Sequence, residues 1–184
     1  MEINFIFNIV ILIASVIVHE VSHGYMANYL GDPTARYAGR LTLNPLKHLD
    51  PVGSIFLPII SYLSAGFVFG WAKPVPYNPY NLRYGKWGEG LVALVGPLSN
   101  LSIALVFSIL IRFQEFFALN ASFLEISELI VVINIVLAVF NLVPIPPLDG
   151  SKVLFAFLPY YMYGWRDALE KYSLFLLIFF IFFL

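Results

Sequence analysis

His19, Glu20 and His23 stand inside an otherwise apolar run. Their spacing, H-E-x-x-H, has a mechanical meaning if that run is a helix. At about 100° per residue, positions four apart differ by about 40° and rise about 6 Å, so both imidazoles can aim at one ion. Glu20 lies about 60° round from His23, near enough to address a water on that ion. Neutral imidazoles suit Zn²⁺, which brings the pKa of a bound water to about 7. Glu20 then has the role of general base, taking the water proton and passing it to a leaving amine.

In a soluble helix the same five letters are often two surface histidines around a glutamate. Here the surroundings are lipid-like, where ionisable groups are functional by default. A hydrogen-bonded cluster that only packs helices together is the blander reading. A catalytic zinc usually has three protein ligands and one open position. The short list for the third ligand is Asp149, after a proline-broken stretch, and His48 and Asp50, in the polar segment behind the first apolar run. Asp149-Gly150 is also an ordinary turn pair, and His48 with Asp50 also reads as a loop pair at a membrane surface. Asp167 and Glu170 read as solvated charges.

These residues need elements to hold them, and the composition says which kind. Of 184 residues, 60% are hydrophobic and only 11% charged. Mean hydropathy is +0.86. A soluble domain is about half apolar and a quarter charged. The runs Ile3 to Val18, Val52 to Ala72, Leu91 to Ile111 and Leu129 to Leu148 carry no charge. A helix needs about 20 apolar residues to cross a bilayer. The sequence therefore predicts an all-α integral membrane protein of one domain, 1–184. With no cysteine, disulfides and thiolate metal sites are excluded. A net charge of −1 points to no nucleic-acid partner. Met1-Glu2 lacks the basic start of a cleaved signal, so the first run is expected to be retained.

The first span is expected from about Asn4 to Leu30, ended by Gly31-Asp32-Pro33. The loose alternation of "ARYAGRLTL" allows short surface strands at about 34–44. The run 52–72 contains Pro58, Gly66 and Gly70 and suits either a full span or a re-entrant hairpin. "KPVPYNPYN" reads as an extended interfacial segment. Further spans are expected at about Gly88 to Arg112 and Ile126 to Val143. Pro144, Pro146 and Pro147 then end helical geometry before Asp149. The tail from Ser173 is a short C-terminal apolar helix. The proline-broken stretch 143–149 is expected to offer backbone groups to an unwound peptide, as in strand addition.

"HEVSH" in the first span, "GPLSN" opening a later one and "NLVPIPPLDG" ending another together resemble the site-2 protease family of intramembrane zinc metalloproteases. The likeness covers three core spans in order, roughly 10–31, 91–112 and 130–152. It implies one zinc held by His19, His23 and Asp149, with Glu20 as general base and His48 left as an alternative ligand. It also implies that Asn141 binds the scissile carbonyl or positions substrate. Asn100 is a second candidate for that role, although helix packing accounts for it too, as for Pro97. The segment "GDPTARYAGRLTLNPLKHLDPVGS" looks like the compact subgroup without PDZ or CBS domain. The implied substrate is a membrane protein with a transmembrane segment, cleaved within or beside it.

For His19, His23 and Asp149 to share one ion, their helix ends must face one side of the bilayer. This favours a re-entrant 52–72 over a full crossing. All of the ten basic residues except Arg112 then fall on that side, and the positive-inside rule makes it cytoplasmic. The expectation is a multi-pass cell-membrane protein with its site in the cytoplasmic half and Met1 outside. Two other readings use the same residues: a proton or metal-ion transporter, and a silent scaffold that holds zinc.

Overall fold

The computed structural model describes residues 2–50 and 73–183, with Phe56, Ile60 and Leu63, and side chains between Phe7 and Phe180. The first helix, α1, is Glu2–Tyr29. It stops where the sequence allows it to. Gly31 takes φ +107°, open to glycine without strain. The Gly31 and Asp32 N–H groups then turn back to the Asn28 and Ala27 carbonyls at 3.2 and 2.9 Å. This is the paired Schellman arrangement that satisfies a helix end.

No strand forms at 34–44. Thr34–Tyr37 is instead one helical turn, α2. The Asp32 carboxylate decides this. It accepts the Thr34 N–H at 3.3 Å and the Thr34 hydroxyl at 2.6 Å, which starts a turn and leaves nothing for a ladder. A tight turn Pro45–Lys47 follows, begun by the Asn44 side chain. The suggested re-entrant segment 52–72 lies almost wholly outside the described residues.

Residues 73–78 run extended and Pro79–Asn81 make a tight turn. Then come α3 (Lys86–Arg112) and α4 (Ala121–Asn141), both close to the expected spans. Asn120 caps α4 by accepting the Phe123 N–H at 2.8 Å. Beyond the prolines, α5 is Asp149–Phe157, α6 is Tyr163–Lys171 and α7 is Ser173–Phe183. Asp149 is thus the first residue of a new helix.

Helices α1, α3 and α4 are each long and apolar enough to cross a membrane. Their side chains are sorted the opposite way from a soluble bundle. Ser15, His19, His23, Asn100, Ser127 and Asn134 are buried, whereas Leu105, Val106, Val132, Val136 and Val139 are exposed. Water would penalise this sorting and lipid rewards it, since buried polar groups must find partners inside the protein. Small residues let the backbones approach: Gly88, Gly90, Ala93, Gly96 and Ala104 on α3, Ala27 on α1 and Ala138 on α4 are all buried. The chain is a membrane protein.

The bundle places one set of helix ends together. Arg83 N–H donates to the Leu30 carbonyl at 2.8 Å, so the end of α1 meets the approach to α3. The Lys86 ammonium, at the start of α3, donates to the Leu158 carbonyl at the end of α5. That shared end is where the polar residues converge.

Candidate metal centre

His19 and His23 project from successive turns of α1 toward the first turn of α5. The Asp149 carboxylate Oδ2 lies 3.0 Å from His19 Nε2 and 3.1 Å from His23 Nε2. Among the described residues these three are the group of His and carboxylate side chains whose ligand atoms all fall within 4.8 Å of one another. His19 and His23 are buried, as is Asp149 at 9% exposure. His48 and Asp50 are not in the cluster. His48 is buried instead in its own loop, where Nε2 donates to the Thr42 carbonyl at 2.7 Å.

The surroundings assign the ring tautomers. His23 Nδ1 faces the Val92 carbonyl at 2.7 Å, and a carbonyl only accepts, so Nδ1 carries the proton. His19 Nδ1 faces Asn100 Oδ1 at 2.6 Å. The orientation of that amide is settled from further back. Asn134 Nδ2 donates to the Ile130 carbonyl and to the Ser15 hydroxyl, both at 2.9 Å. Its Oδ1 therefore accepts from Asn100 Nδ2 at 2.8 Å, and Asn100 presents its own oxygen to His19. Both histidines thus hold a proton on Nδ1. When the rings are neutral each Nε2 turns a lone pair toward the Asp149 carboxylate, and a proton or a metal ion among the three donors satisfies them; two imidazole nitrogens with one carboxylate oxygen suit zinc.

Gly96 confirms how closely α3 backs the pair. A Cβ there would come within 2.4 Å of His23 Cε1 and 2.6 Å of His19 Nε2. Gly150 does the same for α5, since a Cβ would lie 2.2 Å from the Leu142 carbonyl oxygen. Each glycine lets an element come close enough to set one of the three donors.

A cavity of about 160 Å³ opens beside the three donors. A liquid water takes roughly 30 Å³, so a few waters or a peptide unit fit. Glu20 lines it, with Oε2 accepting the Val75 N–H at 2.8 Å. Asn141 also lines it, its amide donating to the Leu137 carbonyl at 2.9 Å. Asn100 does not line it; it is fully buried behind His19, to whose Nδ1 it offers its amide oxygen.

The facing wall consists of Pro74, Val75 and Tyr77 from the extended strap 73–78, with Lys152 from α5. Sequence reasoning missed Asp32, the residue that ties this strap down. Its carboxylate accepts the Asn78 N–H at 2.6 Å and the Asn81 amide at 2.9 Å, besides Thr34. Burial pushes the Asp32 carboxyl up, but the bonds from Thr34, Asn81 and Asn78 outweigh it and hold the group below its ordinary value. Lys152 was missed as well, although it stands three residues after Asp149, one helical turn on. Ser15 and Asn134, polar residues within spans, were the signal for the network behind His19.

A sequence profile described as peptidase family M50 matches residues 115–184, which include Asp149. Among curated proteins, the chain is 39% identical to "Putative zinc metalloprotease YwhC" of Bacillus subtilis, over 79% of this chain and 66% of that one. It is 32% identical to "Putative zinc metalloprotease Rip2" of Mycolicibacterium smegmatis, over 76% of this chain and 52% of that one. The chain thus spans just under two thirds of the first relative and about half of the second. No solved structure gives a significant match. By these matches, and with three donors converging between spanning helices, the chain belongs to peptidase family M50, the site-2 proteases.

Proposed function

We propose that the chain is an intramembrane zinc metalloendopeptidase that hydrolyses peptide bonds within or next to transmembrane segments of other membrane proteins. The observation that carries this reading is the convergence of two Nε2 atoms and one carboxylate oxygen inside a spanning bundle, with Glu20 on the same cavity. His19, His23 and Asp149 would hold one zinc. When bound, the ion would acidify a water and polarise a carbonyl.

The chain's own residues do the rest. Glu20 has one oxygen engaged by the Val75 N–H, which aims the carboxylate and leaves the other oxygen to take a proton from water and return it to the leaving amine. Asn141, which lines the same cavity, would orient the scissile carbonyl. A helical substrate has its carbonyls bonded within its own helix and must unwind first. The stretch 143–148 is a poor partner for the unwound strand. Val143, Ile145 and Leu148 spend their N–H groups on Phe140, Val143 and Ile145 carbonyls, and the three prolines have none to offer.

The buried chain leading away from His19 is built of amides and a hydroxyl. These hold no excess proton at ordinary pH, so the chain suits orientation of an imidazole and not the relay a proton transporter would need.

For topology we infer a cytoplasmic site, with the residues on either side of the segment 52–72 on one face of the bilayer. This is supported by the strong charge asymmetry and by the Lys73 N–H, which donates to the His48 carbonyl at 2.8 Å, so the flanks of that segment meet. Reporter fusions at Lys73 and Asn120 are expected on opposite sides, and finding them on one side overturns the inference.

The functional test compares wild type with Glu20→Gln in detergent or liposomes. Both are expected to carry one zinc per chain by elemental analysis. Cleavage of membrane-span substrates should fall by about 10²-fold or more in the variant. Zinc-free wild type, or undiminished cleavage by the variant, overturns the reading.

A further inference from the structure

Lys152 is a cation at the cavity that the chemistry above does not use. It sits one turn beyond Asp149 on α5, so both side chains leave the same face of that helix. Its platform is rigid. Gly150 is pressed against the Leu142 carbonyl, and the Ser151 hydroxyl donates to the Leu148 carbonyl at 2.7 Å. The ammonium lies 5.1 Å from the centre of the Tyr77 ring, and both residues line the cavity with Glu20 and the three donors.

Other cations near this end of the bundle are committed. Arg166 pairs with Glu170 at 2.8 Å and Glu89 at 3.5 Å, and Lys86 donates to the Leu158 carbonyl. Lys152 makes no ion pair within 4 Å among the described residues. Burial pushes its ammonium down, yet Tyr77, Asp149 and Glu89 near it outweigh burial and hold it above its ordinary value. A positive group held on a rigid turn and facing the cavity, with no carboxylate oxygen within 4 Å among the described residues, complements negative charge that appears there only during reaction.

We propose that Lys152, steadied by Tyr77, stabilises the scissile carbonyl oxygen as it becomes anionic. The inference rests on the peptidase reading. Water adds to the carbonyl carbon, the carbonyl π pair moves to oxygen, and the ammonium and the Tyr77 hydroxyl face that oxygen. On collapse the pair returns, the C–N bond breaks and the amine leaves with the proton carried by Glu20. Lys152 gives up no proton in this cycle, so its role is charge.

The test uses the full-length protein with a substrate that wild type cleaves. In Lys152→Met, of similar size, kcat is expected to fall about 10²-fold with KM within about threefold and zinc content unchanged. Lys152→Arg should keep most of the activity, and Tyr77→Phe should lose about tenfold. A phosphinic-peptide analogue of the scissile dipeptide gives the second readout. Its Ki should rise in Lys152→Met by the same factor by which kcat/KM falls, as for a group that acts in the transition state. Full activity in Lys152→Met, a change confined to KM, or loss of zinc overturns the assignment while the peptidase reading stands. A zinc-loaded wild type that cleaves nothing removes both.

Discussion

The two walls of the cavity are built differently. The inner wall, from α1, α3 and α4, is regular helix, packed on small residues and tied by an unbroken chain of hydrogen bonds from Ile130 through Asn134 and Asn100 to His19. The outer wall is the strap 73–78, which has no repeating structure. It is held at separate points: Val75 on Glu20, the Pro74 carbonyl on Arg40 at 3.3 Å, and Asn78 on Asp32. The inner wall must hold donor atoms to fractions of an ångström, and only interlocked packing does that. On the peptidase reading proposed above, the outer wall is the side that would admit a peptide, and point tethers can release one at a time.

Changes to the inner wall should therefore strike metal binding, and changes to the outer wall should spare it. The largest effect is expected for Gly96→Ala. Its Cβ would overlap both imidazoles, which are pinned by their own hydrogen bonds and cannot retreat. Purified protein should retain under about a tenth of its zinc and no activity, in keeping with the sensitivity of metal sites to their support. Full zinc occupancy would show that the inner wall yields.

Asn100→Ala comes next. It strands the His19 Nδ1 proton in a buried site, a loss of about 1–3 kcal/mol. Zinc affinity, measured by chelator competition, should drop about 10–100-fold. Asn134→Ala should weaken binding less, and the double variant should fall short of the sum, because the two amides act in series.

Asp32→Asn probes the outer wall. Zinc should stay bound while hydrogen exchange at residues 75–82 rises severalfold. The sign of its pH dependence follows from the depressed carboxyl. In wild type the tether is fully present above the ordinary value of 3.8 and is lost as pH falls through the lower folded value. Exchange in the strap, measured across that acid range, should quicken in wild type and stay flat in Asp32→Asn. Identical profiles would remove Asp32 as the tether. The smallest effect is expected for Arg40→Gln, with one bond to Pro74 lost, zinc unchanged and activity within about threefold.

Much of this was legible beforehand, for identifiable reasons. Charge-free runs long enough for a bilayer located α1, α3 and α4 within a few residues, because lipid imposes one requirement on every position of a span. Gly31 and the prolines at 144–147 marked real ends. The strands at 34–44 did not form, because one carboxylate, Asp32, outcompeted a weak alternation. Asn100 was a candidate for meeting substrate and lies behind His19, off the cavity lining, because a polar side chain in a span does not say which neighbour it faces.

What the sequence determined by itself was the membrane setting, the spanning helices and the pairing of His19 with His23. Each depends on spacing along one helix, and helical geometry is the same in any fold. The tertiary structure alone decided that Asp149 completes the cluster while His48 does not. It alone decided that the amides of Asn100 and Asn134 set the His19 tautomer, and that Lys152 and Tyr77 face the cavity. These join positions far apart in the chain, and only the packing of helices at Gly96 and Gly150 brings their atoms within bonding distance.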